Sequence, residues 1–216
     1  MTNIRIYKNV FNEEDRLNYL EIFRSMPDLI WTQSDCTDEE VRQLKDFMPF
    51  IIKFKLMDMH FNMMGRISED FELAAKGITL THEGAYLANR HSTLTIDKRI
   101  PGNSLSPHAD IPTGTFEKEK GTFFEDGSSP IAMSCVFYWN DDFEGGELDL
   151  YPEIDRQDLI KNGNLYNFDK IKPGHSYKPV AGDFVVFPSE TVHSIRPVTK
   201  GNRYSSQYFY LRLENK

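Results

Sequence analysis

Within Ser106-Pro107-His108-Ala109-Asp110 an imidazole and a carboxylate stand two positions apart, so in an extended backbone both side chains leave the same face and aim at one point. With six histidines and 33 acids in the chain, such a His-x-acid pair arises by chance about once, and it gains weight only from its surroundings. Those lie near the C-terminus, where Ala181 to Pro188 reads as a turn and a buried strand and His193 opens the next strand. Two imidazoles and one carboxylate make the facial set that holds Fe(II) while leaving three adjacent positions open for a co-substrate and oxygen. Ten residues beyond His193 stands Arg203. Its planar fork can grip a carboxylate through two parallel hydrogen bonds. Ser205 and Gln207 share its strand parity, so Ser205 adds a hydroxyl donor beside the guanidinium.

Short β-rich runs must position these groups. Candidate strands run from Leu94 to Ile100, Ala132 to Asn140, Glu147 to Tyr151, Asp183 to Pro188, His193 to Val198 and Tyr204 to Leu213. Turn chemistry separates them at Pro101-Gly102-Asn103, Glu144-Gly145-Gly146 and Gly201-Asn202. On the second run Ser134, Val136, Tyr138 and Asn140 form the more polar face, and Met133, Cys135, Phe137 and Trp139 the apolar one. Two inserts, 111–129 and 152–179, are too long for tight turns and read as lids, the first carrying Phe116, Phe123 and Phe124.

The first 78 residues read as helical support. Asn12 before Glu13, Glu14 and Asp15 is an N-cap with acids in the first turn, and Leu17, Leu20 and Phe23 follow at helical spacing. Thr37 repeats the pattern before Asp38, Glu39 and Glu40, and the apolar stretch from Phe47 to Met64 predicts another helix after Pro49. Met57, Met59, Met63 and Met64 read as core filling against a sheet. His60, His82, His91 and His175 have no acid two positions on and read as structural, Trp31 and Trp139 as packing groups, and Cys135 as a small buried hydrophobe. The expected fold is mainly β with supporting α, a roll packed on N-terminal helices, in a single domain over residues 1–216 with its β core at 79–216.

Composition excludes several classes. The chain has 216 residues, of which 39% are hydrophobic and 13% aromatic, enough for a core and too much for wholesale disorder. No apolar run reaches the roughly 18 residues of a spanning helix, and the first residues carry no cationic-then-apolar leader pattern. Cys36 and Cys135 lack metal or redox spacing, so a cytoplasmic, membrane-free setting is expected. A net charge of −8 disfavours nucleic acid as a partner.

Taken in order, the motifs resemble those of the iron(II)/2-oxoglutarate-dependent dioxygenases, particularly the prolyl 4-hydroxylase-like branch. The family pattern stands here as His108-Ala109-Asp110, Tyr138-Trp139-Asn140, Glu144-Gly145-Gly146-Glu147, Gly182-Asp183 with Phe187-Pro188, and His193 with Arg203. The match covers roughly residues 94–213, and an ordered set is far more specific than any single piece. The resemblance implies a double-stranded β-helix (a cupin-like jelly-roll). It also implies that His108, Asp110 and His193 are iron ligands and that Arg203, with Ser205, anchors the distal carboxylate of 2-oxoglutarate. Related hydroxylases often place a tyrosine about three residues before the glycine in the turn leading to His-x-Asp; Arg99 stands there instead, and Tyr138 is the candidate for the missing contact.

The cofactors implied are Fe(II), 2-oxoglutarate and O2, with ascorbate as a further one. The implied reaction is hydroxylation of an unactivated C–H bond with release of succinate and CO2. Asp110 is intact, whereas related halogenases carry a small residue in its place, so hydroxylation is the expected outcome. The expected substrate is a peptidyl proline, with a free amino acid or other small metabolite as the alternative. A nucleic-acid demethylase is disfavoured by charge. From other classes stand a non-oxygenase cupin-like metalloprotein and a ligand-binding roll without metal. Oligomeric state is left open.

Overall fold

A computed structural model describes residues 4–26, 39–81, 95–110, 131–155 and 170–213. The insert at 111–129, half of that at 152–179 (156–169), Trp31, Cys36, Thr37, His82 and His91 lie outside the described residues. The elements, in order, are β1 (Arg5–Tyr7), α1 (Glu13–Ser25), α2 (Glu39–Asp70), a 3₁₀ turn (Ala74–Lys76), β2 (Leu80–Thr81), β3 (Thr95–Arg99), β4 (Leu105–His108), β5 (Ile131–Tyr138), β6 (Glu144–Gly145), β7 (Leu148–Tyr151), β8 (His175–Tyr177), β9 (Phe184–Pro188), β10 (Val192–Ile195), β11 (Val198–Lys200) and β12 (Arg203–Arg212).

The larger sheet runs β1-β9-β5-β12-β2, with β3 also paired to β12; the smaller runs β4-β10-β7-β8, and β11 pairs with β6. Every strand pairing among the described residues is antiparallel. The alternation on β5 decides how the layers stack. Met133, Cys135, Phe137 and Trp139 enter one cluster with Leu20 and Phe23 of α1 and Ile52, Leu56, Met59, Met63 and Ile67 of α2. Val136 and Tyr138 face the other way and join Leu148, Leu150, Tyr177, Val185, Phe187 and Ile195 between the two sheets. This is the expected roll on helices. Trp139 is a packing group, with Phe11, Phe23 and Phe137 at 5.6, 5.0 and 5.0 Å, and each such fully buried aromatic contributes roughly 1.5–3 kcal/mol.

Locally the sequence expectations meet three corrections. The Asn12 cap forms, its side chain accepting from the Asp15 amide, but the buried face of α1 is Arg16, Leu20 and Phe23, and Leu17 points to solvent. Arg16 is drawn inward because its guanidinium donates to the Trp139 carbonyl and pairs with Glu13, tying the helix to the end of β5. The second helix does not begin after Pro49 but runs through it from Glu39. A proline removes one amide donor, and the buried ladder from Ile52 to Ile67 offsets that loss. The run from His193 to Val198 breaks at Pro197, so β10 and β11 pair with different strands. The N-terminal segment also contributes β1, which extends the larger sheet beside β9.

Met59 and Met63 are buried, and Met57 and Met64 pack against the same cluster. Cys135 is a buried free thiol. Among the described residues no helix is long and apolar enough to cross a membrane.

Candidate active site

Strand pairing brings the two distant histidines together. His108 ends β4, His193 lies second in β10, and the two are register partners. His193 shares parity with Ile195, which faces the space between the sheets. Asp110 follows β4 and is held by its amide, which donates to the Ser189 carbonyl at 3.0 Å. Its two oxygens lie 3.3 Å from His108 Nε2 and 3.4 Å from His193 Nε2. One donor atom from each of the three residues falls within 4.8 Å of the others.

The protons on both rings follow from their backbone partners. His108 Nδ1 lies 2.8 Å from the Ser106 carbonyl and His193 Nδ1 lies 2.9 Å from the Thr191 carbonyl. A carbonyl only accepts, so each Nδ1 carries hydrogen and Nε2 is the nitrogen left to hold a metal, sharing a proton with Asp110 when the ring is charged. Phe187 meets the His193 ring edge-on at 4.9 Å and fixes its plane. Side-chain exposure falls from 36% at His108 through 16% at Asp110 to 6% at His193, so the cluster opens on the His108 side.

Charge follows the same gradient. Burial pushes the His193 imidazole down toward its neutral form, with Asp110 opposing. Burial also disfavours a charged His108, but the hydrogen bond and charge of Asp110 outweigh it and raise its proton affinity. Asp110 is pushed up by burial yet held below its ordinary value by His108, the His193 charge and the nearby Ser134 hydroxyl. Two imidazole nitrogens and a retained carboxylate suit a divalent first-row ion.

The second half of the site is on the larger sheet. Arg203 is wholly buried. Its Nη1 donates to Ser205 Oγ at 3.1 Å and its guanidinium lies over the Tyr138 ring at 5.0 Å. Ser205 and Tyr138 face each other across β12 and β5. Among the described residues Arg203 Nε, Arg203 Nη2 and Tyr138 Oη are buried without a hydrogen-bond partner. Burial pushes the Tyr138 phenol up, with the Arg203 charge pulling the other way. A buried cation with two unused donors and a phenol beside it fits a carboxylate, since leaving such groups unmet costs on the order of 1–3 kcal/mol each.

The turn motif makes room for that arginine. A Cβ on Gly146 would come within 3.1 Å of Arg203 Cδ, and one on Gly145 would strike the Pro197 carbonyl oxygen at 2.2 Å. Asn140, by contrast, is a tether: its oxygen accepts from the Tyr204 amide at 2.8 Å and its amide donates to the Asn202 carbonyl at 2.8 Å. Asp183 accepts from the Tyr177 hydroxyl at 2.7 Å. His60 is structural, stacked on Tyr208 at 3.9 Å and in contact with Tyr210 at 3.3 Å. The backbone carbonyls of Ser106 and Thr191 orient the histidines but have no side-chain identity for a sequence to display.

A cluster of candidate metal ligands and a buried guanidinium thus lie within one antiparallel roll. The profile of the 2OG-Fe(II) oxygenase superfamily matches residues 96–211, more than half of the chain, and the chain belongs to that family. The family uses Fe(II), 2-oxoglutarate and O2. Among curated relatives, a PKHD-type hydroxylase of Stenotrophomonas maltophilia is 33% identical over 82 residues, which are 36% of this chain and 27% of the relative. The match thus spans about a quarter of that relative's length. The fold is shared with a prolyl-4-hydroxylase of Pseudomonas putida, at 18% identity, TM-score 0.51 and coverage of 100% of this chain and 90% of the other. It is also shared with a prolyl hydroxylase from Trichoplax adhaerens in complex with a hypoxia inducible factor peptide fragment, at 13% identity, TM-score 0.53 and coverage of 98% and 84%.

Proposed function

We propose that this protein is an Fe(II)- and 2-oxoglutarate-dependent dioxygenase that hydroxylates a C–H bond of a peptidyl proline, releasing succinate and CO2. The observation that carries the reading is the His108, Asp110 and His193 donor set in the same roll as Arg203, whose unused donors are buried. The three ligands come from one side of the roll and the carboxylate anchor from the other, so a molecule bearing a chelating head and a distal carboxylate is held at both ends. When bound, the iron with 2-oxoglutarate and O2 supplies the oxidising chemistry.

The chain's own residues do the positioning. His108 and His193 offer Nε2 lone pairs, and Asp110 offers one oxygen. Arg203, the hydroxyl hydrogen left on Ser205 and the Tyr138 phenol meet the distal carboxylate. Val136, Phe187 and Ile195 wall the space with apolar surface and exclude water.

Two considerations support a peptide substrate: a fold relative is in complex with a peptide fragment, and the 111–129 insert carries three phenylalanines suited to an extended proline-rich backbone. The test is a panel of proline-rich peptides beside free proline and other small metabolites, read by succinate release and product mass. Peptides are expected to stimulate succinate release and gain one oxygen, while free proline does neither. Stimulation by a small metabolite alone would move the assignment to that substrate class.

A further inference from the structure

Arg99, the residue that stands where related hydroxylases carry a tyrosine, occupies a position that its sequence neighbourhood does not reveal. It ends β3, and its register partner on β12 is Arg203. Directly opposed residues on antiparallel strands share a face with Cβ atoms roughly 4.5–5.5 Å apart, and like charges so placed repel. The two arginines therefore share one face of the sheet, and the Arg203 charge acts on Arg99. Arg99 Nη1 donates to the Ser104 carbonyl at 3.2 Å, which fixes the head. Its Nε is buried and, among the described residues, has no partner.

Among the described residues the charges that act on Arg99 are the Arg203 cation and the Asp97 carboxylate. Asp97 shares the Arg99 face and stands opposite Ser205, so its carboxylate offsets one of the two cations. Burial and the Arg203 charge both disfavour the charged form of Arg99, and Asp97 and Tyr138 oppose them. A single additional carboxylate would neutralise what remains and meet the donors that the protein leaves unused on Arg99, Arg203 and Tyr138.

We propose that Arg99 is a second guanidinium of the co-substrate pocket, which grips the distal carboxylate of 2-oxoglutarate together with Arg203, Ser205 and Tyr138. The proposal rests on the reading of this pocket as the 2-oxoglutarate site. In place of a phenol, which offers one donor, the chain presents a second charged fork, so its hold on the co-substrate depends on the distal carboxylate and on charge at that position.

The test is anaerobic isothermal titration of Mn(II)-loaded protein with 2-oxoglutarate and with 2-oxopentanoate, in which a methyl group replaces the distal carboxylate. Arg99→Met is expected to weaken 2-oxoglutarate binding roughly 10- to 100-fold, the range for charge-assisted hydrogen bonds. Binding of 2-oxopentanoate should change by no more than about twofold, and Arg99→Lys should recover part of the loss. The ligand-free Arg99→Met protein should melt no lower than the unaltered protein, because a repelled neighbour has gone. That melting curve also confirms folding. Unchanged 2-oxoglutarate affinity in folded Arg99→Met protein overturns the role of Arg99. Failure of the unaltered protein to prefer 2-oxoglutarate over 2-oxopentanoate, or an unchanged affinity in Arg203→Met, instead overturns the reading of the pocket.

Discussion

The three candidate metal ligands differ in how much the fold protects them, and substitutions should report that difference. His193 is deep and locked by Phe187 and the Thr191 carbonyl, whereas His108 is more than one third exposed. Removing a group that merely orients a ligand costs 10- to 100-fold in metal affinity, so His193→Ala and His108→Ala should each weaken Fe(II) binding at least about 100-fold and abolish turnover. Anaerobic metal titration checks this, and retained affinity in both variants would remove the site. Arg203 acts on the other half. Arg203→Ala should raise the KM for 2-oxoglutarate by the equivalent of roughly 2–5 kcal/mol, while Fe(II) affinity stays near that of the unaltered protein. Lysine at 203 should rescue in part, because a point charge replaces a fork.

The β6 to β11 pairing and its glycine turn lie against this arginine, apart from the candidate metal ligands. Gly145 has φ +75°, and a Cβ there would meet backbone atoms of Pro197 and Thr199 at 2.2 and 3.0 Å, which cannot swing away. Gly145→Ala is therefore expected to destabilise the protein by at least about 2 kcal/mol and to weaken 2-oxoglutarate binding, since Gly146 and the Arg203 stem lie next in line. Gly102 provides the control. Its φ is +91° but nothing lies within 4 Å of an added Cβ, so Gly102→Ala should cost only the backbone strain, about 1 kcal/mol, and leave binding unchanged. Chemical denaturation of the two variants separates steric conflict from simple loss of glycine freedom, and equal losses would show that the close approach to Pro197 does not matter.

Helices and sheet are joined through a core that contains a titratable ring, and the stability of the entire molecule should respond to it. His60 of α2 is enclosed by Tyr208, Tyr210 and Phe184, and burial pushes its imidazole down to about 3. An unfolded histidine titrates near 6.5. Below that value the unfolded chain binds a proton that the native state refuses, so this contribution to stability is complete above about pH 6.5 and is lost as pH falls toward 3. The slope is on the order of 1 kcal/mol per pH unit. Urea midpoints measured at pH 7, 6 and 5 should therefore fall more steeply for the unaltered protein than for His60→Gln. Parallel slopes would show that the ring is protonated in place.

Chain order alone pointed to the candidate iron ligands, Arg203 and Ser205, because their types and spacing repeat a known ordered pattern and because strand alternation is a local property. The same alternation sorted the faces of β5 correctly, and the Asn12 cap was legible because its hydrogen bond spans only three residues. What required the tertiary structure was everything decided by residues far apart. Arg16 is drawn inward by the Trp139 carbonyl, 123 positions away, a partner that no local pattern names. The helix crossed Pro49 because sheet packing outweighed a lost amide bond. Arg99 read only as a missing tyrosine, since its meaning comes from its register with Arg203 across β3 and β12. Local spacing can name candidate groups for a metal, but which charges face one another is set by strand register, and register is fixed only when the sheets pack.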